Sequence, residues 1–425
     1  RARGKVVYLE AESGYSKSLM AEICEATEYA LDDVLKIEGK LDLKYVFELA
    51  AYINMPEIRY PTYKPKQMKY ENIFEKIKSG DFLLQLPYES FQPTTDFLAQ
   101  ASKDPSVLAI KITLYRADED SRIIKALKDA ARNKKQVTVL VELKARFDEE
   151  KNIIWARELE YSGCHVIYGI PGMKIHSKIA MVVRNEGGRI CRYLHLSTGN
   201  YNEKTALIYT DTGFFTCNDD FGSDISDVFN VITGYSLPSR WKRIVSAPND
   251  LREYCFELIE KEMECQKKYK NGLIIAKMNS LEDPKIIEKP YEASCAEVKI
   301  KLIVRGICCL VPGVKGLSEN IEIRSIVGRY LEHSRVFLFN NNNDKRIFLS
   351  SADWMRRNLD KRIEVLFEVT KGELKENLAA LLDINLNDSL KARLLTSDKT
   401  YFRPVRIFGS TNAQEVLERT YGNSK

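Results

Sequence analysis

Short apolar runs alternate with stretches of helical spacing along this chain, and the alternation restarts partway through. Val107–Tyr115 is largely apolar, Ser121–Asn133 has helical period, Val137–Leu143 is apolar, Asn152–Ser162 is helical, and His165–Tyr168 is apolar again. Nearly continuous apolar strands separated by helices predict an α/β sheet covered on both faces. Two antiparallel strands carrying His176 and His195 are predicted to follow. After a charged helix over Leu251–Lys270, Val298–Arg305 starts a second run of the same kind, a strand ending in arginine as the earlier one ends at Tyr115-Arg116. The chain reads as a divergent duplication, with two halves related by a pseudo-twofold and a site between them.

The ends of these runs mark boundaries. Residues 1–62 alternate short strands (Val6–Leu9, Val34–Ile37) with amphipathic helices, and Pro56, Pro61 and Pro65 then interrupt regular structure. A second break falls between Leu237 and Pro248. The expected segments are 1–62, 63–243 and 244–425.

Composition narrows the function classes. A chain of 425 residues exceeds one core, and its opening at Arg1 is that expected of a fragment. With 65 basic against 60 acidic residues the charge is nearly balanced, which argues against a nucleic-acid coat and for anion sites assembled by folding. Nine cysteines without a C-x-x-C pair read as reduced, buried thiols of a cytoplasmic protein. No apolar run approaches the ~20 residues of a membrane span; peripheral attachment to a membrane is left open. There is no glycine-rich phosphate loop of the G-x-x-x-x-G-K-[ST] or G-x-G-x-x-G kind, and no G-x-S-x-G.

The candidate chemistry lies in a repeated motif. His176-Ser177-Lys178 is echoed by His333-Ser334-Arg335, and each copy is followed by a strand closing in small polar residues, Leu196-Ser197-Thr198-Gly199-Asn200 and Leu349-Ser350-Ser351-Ala352-Asp353. A histidine and a cation two apart on a strand share a face. Each copy therefore offers a nucleophile or proton carrier beside a fixed positive charge, which suits phosphoryl groups. Lys174, His176 and Lys178 are expected on one strand face, where an imidazole between two cations stays neutral near pH 7. His195 precedes a tail whose Ser, Thr and Asn could hydrogen-bond an oxyanion. His333 and the strand-end arginines Arg116, Arg146 and Arg305 complete the set, whereas His165 reads as core. The basic run Trp354–Arg362 reads as a solvated helix face.

At these residues the chain resembles the bacterial polyphosphate kinase family of the phospholipase-D-like superfamily. The resemblance runs through Lys111–Arg116, Val141–Glu150, Lys174–Ile179, His195–Asn202, Tyr209–Asp211, Ile303–Gly306 and Leu331–Met355. It implies two phospholipase-D-like α/β domains preceded by the remnant of an α+β head domain, with the amino-terminal domain and most of the head domain outside this chain. It further implies reversible transfer of the terminal phosphate of ATP to inorganic polyphosphate, with ATP/ADP and polyphosphate as partners, Mg²⁺ as cofactor, and self-association. His176 matches the phosphohistidine nucleophile and His195 a second histidine of the site, with Lys178 beside them. Tyr209, Arg305 and His333 match nucleotide-contacting positions. Arg116 and Arg146 match magnesium-associated positions, taken as contacts to Mg²⁺-bound phosphate because a guanidinium has no lone pair for a cation. The alternatives are a phospholipase-D-like phosphodiesterase or nuclease, and a non-catalytic polyanion-binding fragment.

Overall fold

The computed structural model describes residues 5–115, 121–142, 149–170, 172–234 and 241–422. They form two compact units that divide between Tyr63 and Lys64. In the first unit, β1 (Glu10–Glu12) pairs in parallel with β2 (Leu35–Ile37). The two strands cover a small core of Ala11, Met20, Cys24 and Val34, with the helix Lys17–Thr27 between them in sequence. The strand expected over Val6–Leu9 forms later in the chain, because Val7 is exposed and Ala11 is the first side chain to turn inward.

The second unit holds two sheets. The first half contributes β3 (Phe82–Leu86), β4 (Val107–Leu114), β5 (Gln136–Val141), β6 (His165–Tyr168), β7 (Lys174–Ile175), β8 (Lys178–Glu186), β9 (Arg189–Ser197) and β10 (Tyr209–Thr216). The second contributes β11 (Ile244–Ala247), β12 (Leu273–Met278), β13 (Lys299–Val304), β14 (Ile321–Ile326), β15 (Leu331–Glu332), β16 (Arg335–Phe339), β17 (Arg346–Ser350), β18 (Arg362–Val369), β19 (Ala392–Leu395) and β20 (Tyr401–Phe402). One sheet runs β10-β9-β8-β4-β5-β6 and the other β18-β17-β16-β12-β13-β14, the same order of roles in each. Strands β4, β5 and β6 are parallel, as are β12, β13 and β14.

This alignment corrects the expected repeat. Val298–Arg305 is not the counterpart of Val107–Tyr115: β12 is, since it lies between the hairpin strand β16 and the parallel strand β13 as β4 lies between β8 and β5. Arg305 thus stands where the first half has Glu142, one residue past its strand. The strand Leu273–Met278 escapes a sequence reading because it follows the long helix Leu251–Tyr269 after only a short break and carries Lys277 in its apolar run.

Each half has its own core, and a third core joins them. Ile110, Ile112, Val139 and Phe97 lie in the first, and Ala276, Ile300, Leu302 and Phe337 in the second. The shared cluster brings Ile175, Ile179, Leu194 and Phe214 of one half against Val336, Leu349, Val365 and Phe367 of the other. Alternate residues of the central strands therefore face the seam, and burying them in common fixes the two sheets against each other. The helices Asp219–Ile232 and Gly372–Leu386, one from each half, pack on the same cluster.

Candidate active site

The H-x-[K/R] segments are not continuous strands. Lys174–Ile175 joins the opposite sheet, pairing in parallel with Arg362–Ile363, and the chain then crosses at His176-Ser177 to begin β8 in its own sheet. Leu331–Glu332 does the same in reverse, pairing with Tyr209–Thr210 before His333-Ser334 crosses into β16. Each histidine is thus fixed by the other half. The amides of His176 and Ser177 both donate to Ile363 O (3.0 and 2.9 Å), and the His333 amide donates to Thr210 O (3.2 Å).

The side chains repeat the exchange. His176 Nδ1 lies 2.7 Å from Glu364 Oε1, and His333 Nδ1 lies 2.8 Å from Asp211 Oδ2, each carboxylate coming from the strand of the opposite half, β18 or β10, that the crossing segment pairs with. Each carboxylate is steadied by a hydroxyl of its own half: Ser351 Oγ donates to Glu364 Oε2 (2.5 Å) and Thr198 Oγ1 to Asp211 Oδ1 (2.6 Å). With Nδ1 of each ring turned to a carboxylate, Nε2 is the nitrogen left for chemistry.

Two buried cations flank the rings. Lys178 is 1 % exposed and donates to His176 O, while Arg335, 3 % exposed, bonds Asp353 through two nitrogens (3.2 and 3.0 Å) and reaches Thr198 O (3.1 Å). Lys174 and Lys178 stand over the Tyr115 ring at 4.9 and 5.7 Å, and His176 meets the same ring edge-on at 5.3 Å. Lys174, His176 and Lys178 therefore converge as expected, through a crossover and a shared aromatic ring rather than a strand face.

Burial and this charge set the protonation states. Burial, then the charges of Lys178, Arg362 and Arg335, hold His176 well below the usual imidazole range, so it is neutral at pH 7. Burial also lowers Lys178 to about 7 against the opposing pull of Glu364, and raises Glu364 to about 7 against Lys178 and Arg362. His333 is lowered by burial, with Asp211 restoring part of the loss. Burial pushes Asp211 upward, but His333, Thr198 and Arg335 outweigh it and leave the carboxyl below its ordinary value.

Tyr209 stacks obliquely on His333, ring centres 5.1 Å apart. Beside them opens a cavity of about 570 Å³ lined by Tyr209, Arg305, Arg329, Tyr330 and Leu331. The Arg305 guanidinium is oriented by Asn279 Oδ1 (3.1 and 2.7 Å). A cleft of about 610 Å³ lies elsewhere, at the β6 edge between Lys111, His165 and Phe229, and holds none of the paired charges. His165 is exposed there, which corrects its reading as core, since β6 is an edge strand.

His195 is not brought to the cluster. It is 2 % exposed, its Nδ1 is 3.0 Å from Tyr201 Oη, its ring packs on Phe215 at 4.4 Å, and burial lowers it to about 3. Two members of the neutral tail after it are spent internally: Thr198 serves Asp211, and Ser197 Oγ accepts from the Gly199 amide (3.0 Å), while Asn200 Oδ1 is buried without a hydrogen-bond partner. A Cβ at Gly199 would fall 2.2 Å from Asp211 Oδ2, so the close approach its glycine permits is that of a carboxylate. Arg116 and Arg146 lie outside the described residues. The run Trp354–Arg362 divides: Trp354 is core, Arg356–Lys361 is a short helix, and Arg362 sits in β18. Glu364 and Asn279 are site residues that sequence reasoning did not name, and Asp211 and Asp353 fell inside named segments without a role.

Two family models match in tandem, Polyphosphate kinase C-terminal domain 1 over 72–238 and Polyphosphate kinase C-terminal domain 2 over 244–414. The chain belongs to the polyphosphate kinase family. Its relatives include the polyphosphate kinase of Bacillus anthracis, 48% identical over 98% of this chain and 60% of that protein, and that of Halalkalibacterium halodurans, 50% identical over 92% and 57%. The chain therefore spans about three-fifths of the length of the polyphosphate kinases it matches. The crystal structure of polyphosphate kinase from Porphyromonas gingivalis superposes with a TM-score of 0.83 at 34% identity, covering 97% of this chain and 64% of that one. The phosphatidylserine synthase of Haemophilus influenzae Rd KW20 shares the fold alone, at a TM-score of 0.50 and 10% identity over 82% of this chain and 95% of that one. The two halves are phospholipase-D-like in fold, and the paired histidines lie where their sheets exchange strands. No described helix is long and apolar enough to cross a membrane.

Proposed function

We propose that this chain carries the phosphoryl-transfer centre of a polyphosphate kinase, moving the terminal phosphate of ATP reversibly to inorganic polyphosphate through His176. The observation that supports it is the reciprocal seating of two imidazoles, each set beside a carboxylate of the opposite half and both under the charge of the same buried cations, Lys178 and Arg335.

In this reading the Nε2 lone pair of His176 attacks the γ-phosphorus, the bond to the bridging oxygen breaks, and ADP leaves with the electron pair. Lys178 and Arg335 neutralise the transferring oxygens, and Glu364 balances the positive charge that the ring acquires on phosphorylation. The terminal oxygen of polyphosphate then attacks phosphorus, the P–N bond breaks, and His176 regains its lone pair. Both displacements are in line with the same P–N axis. ADP and the polyphosphate end must therefore take the same place in turn, on the His333 side, where Tyr209 and Arg305 would receive the nucleotide and His333 would pass the proton. His195 holds Tyr201 and packs the core behind β9 and has no step.

Family membership implies a divalent cation. The carboxylates of this site are committed to His176, His333 and Arg335, and no group of three metal-ligating side chains is present among the described residues. A protein-held Mg²⁺ does not fit these residues, so we take magnesium as part of the nucleotide substrate, with Arg116 and Arg146 proposed as contacts to its phosphates. ATP as substrate would place the chain in the cytoplasm.

Incubation with γ-labelled ATP tests the reading. Acid-labile label on the protein that chases into polyphosphate is expected, and His176→Ala abolishes both. Diester cleavage without labelled protein would establish the phosphodiesterase instead, and salt-sensitive polyphosphate binding without turnover the binding fragment.

A further inference from the structure

The wall of the nucleotide cavity is a strap, residues 326–332, that runs directly into His333. One edge of the strap is paired with β10. The other lies against the helix Ala413–Tyr421, most of which lies beyond the matched family region ending at 414.

Gln414 acts there as a substitute strand. Its Oε1 accepts from the Tyr330 amide (3.0 Å), and its Nε2 donates to Tyr330 O (2.9 Å) and to Glu332 Oε1 (2.6 Å). One turn later Glu418 Oε1 accepts from Tyr330 Oη (2.6 Å) and Arg329 Nη1 (3.1 Å). The fit is close: a Cβ at Gly328 would lie 2.5 Å from Gln414 Oε1. Leu417 packs with Tyr88, Tyr330 and Leu381 behind it.

The contact continues to the reacting ring. Glu332, 3 % exposed, also meets Lys277 Nζ at 2.6 Å and Thr210 Oγ1 at 3.0 Å, and Lys277 Nζ reaches Ser334 Oγ at 2.6 Å. Thr210 is the residue whose carbonyl receives the His333 amide. The helix thus touches no reacting atom, yet its links to Arg329, Tyr330 and Glu332 end on the cavity wall or one residue from His333.

We propose that the helix Ala413–Tyr421 is a clamp that sets the nucleotide wall and His333, with Gln414 and Glu418 as its positioning residues. The proposal rests on the reading of that cavity as the nucleotide site. A fully bonded Glu332 and a two-sided Tyr330 are rigid only while the amide of Gln414 completes them. Loss of it frees the strap and weakens nucleotide binding, while polyphosphate, which needs no nucleoside pocket, is affected less.

The test compares the full chain with Gln414→Ala and Glu418→Gln by hydrogen exchange of the 326–333 segment, together with steady-state kinetics. Gln414→Ala is expected to speed exchange of the Tyr330 amide and to raise the nucleotide KM about tenfold, the loss of roughly one net buried hydrogen bond. The polyphosphate KM and kcat should stay within about threefold. Glu418→Gln, which keeps an acceptor for Tyr330, should fall between, and it carries the same measurement if Gln414→Ala does not fold. Wild-type exchange rates across 326–333 in both variants, or a lower yield of active protein with unchanged nucleotide KM, would overturn the clamp. Exchange is read without turnover, so an inactive wild-type chain would defeat the proposed function while leaving the clamp decided.

Discussion

Replacing Glu364 by glutamine keeps the shape of the seat and removes its charge. Glu364 is fully buried, 2.7 Å from His176 Nδ1, and its second oxygen accepts from Ser351. The phosphorylated ring is cationic, so the carboxylate stabilises the product of attack more than the neutral starting imidazole. Nδ1 and Oε1 are in contact but out of hydrogen-bond alignment in the resting protein; a hydrogen bond to a charged partner, gained as the ring becomes cationic, contributes about 1.5–3 kcal/mol, which converts to a fall of about 10- to 150-fold in the rate of protein labelling. An amide can also present its NH₂ to Nδ1, which would stabilise the tautomer with the proton on the attacking nitrogen and deepen the loss. Stability should move the other way. The folded carboxyl is raised from 4.5 to about 7, so its contribution is present below 4.5 and is lost as pH rises through about 7. Glu364→Gln removes that penalty, on the order of 3 kcal/mol at pH 8, and should melt no lower than wild type there. The assay is rapid-quench labelling from γ-labelled ATP at pH 8, beside thermal melts. Labelling within twofold of wild type, or a rate lost only because the protein unfolds, would refute the argument.

Three further outcomes follow from the same geometry. Asp353→Ala leaves Arg335 buried without its carboxylate, and denaturant unfolding should show a loss of about 3–5 kcal/mol; a change below about 1 would mean that Arg335 is not held as described. An anion beside Lys178 raises it from about 7, so nucleotide binding at pH 8 should take up protons, read by calorimetry in buffers of different ionisation enthalpy. Proton release would contradict the assigned protonation states. Because both displacements share one axis, ADP should compete with polyphosphate for the phosphorylated protein, and a non-competitive pattern would require separate acceptor and leaving-group places.

The sequence showed the duplication, since His176-Ser177-Lys178 and His333-Ser334-Arg335 repeat with their polar-tipped strands, and it marked Tyr209 and Arg305 through family resemblance. What it hid were partnerships across the seam. Glu364 and Asp211 are ordinary acidic residues in strands until β7 and β15 cross to the opposite sheets and set a histidine beside each. A lone carboxylate within Ile363–Phe367 was the available signal, because a charge in a buried run needs a partner. The setting of His195 was hidden for the opposite reason: Ser197 and Thr198 look open to a ligand in sequence, whereas in the fold they bond the Gly199 amide and Asp211. The register of the second half was misjudged because a short strand after a long helix, with Lys277 inside it, has a weak apolar period.

The most direct test of the account is to locate the phosphate. After a brief exposure of the protein to γ-labelled ATP and alkaline quench, the label should lie on Nε2 of His176 and pass to added polyphosphate as the protein loses it. Label on His333, on Nδ1 of His176, or none under conditions where polyphosphate still grows, would contradict it.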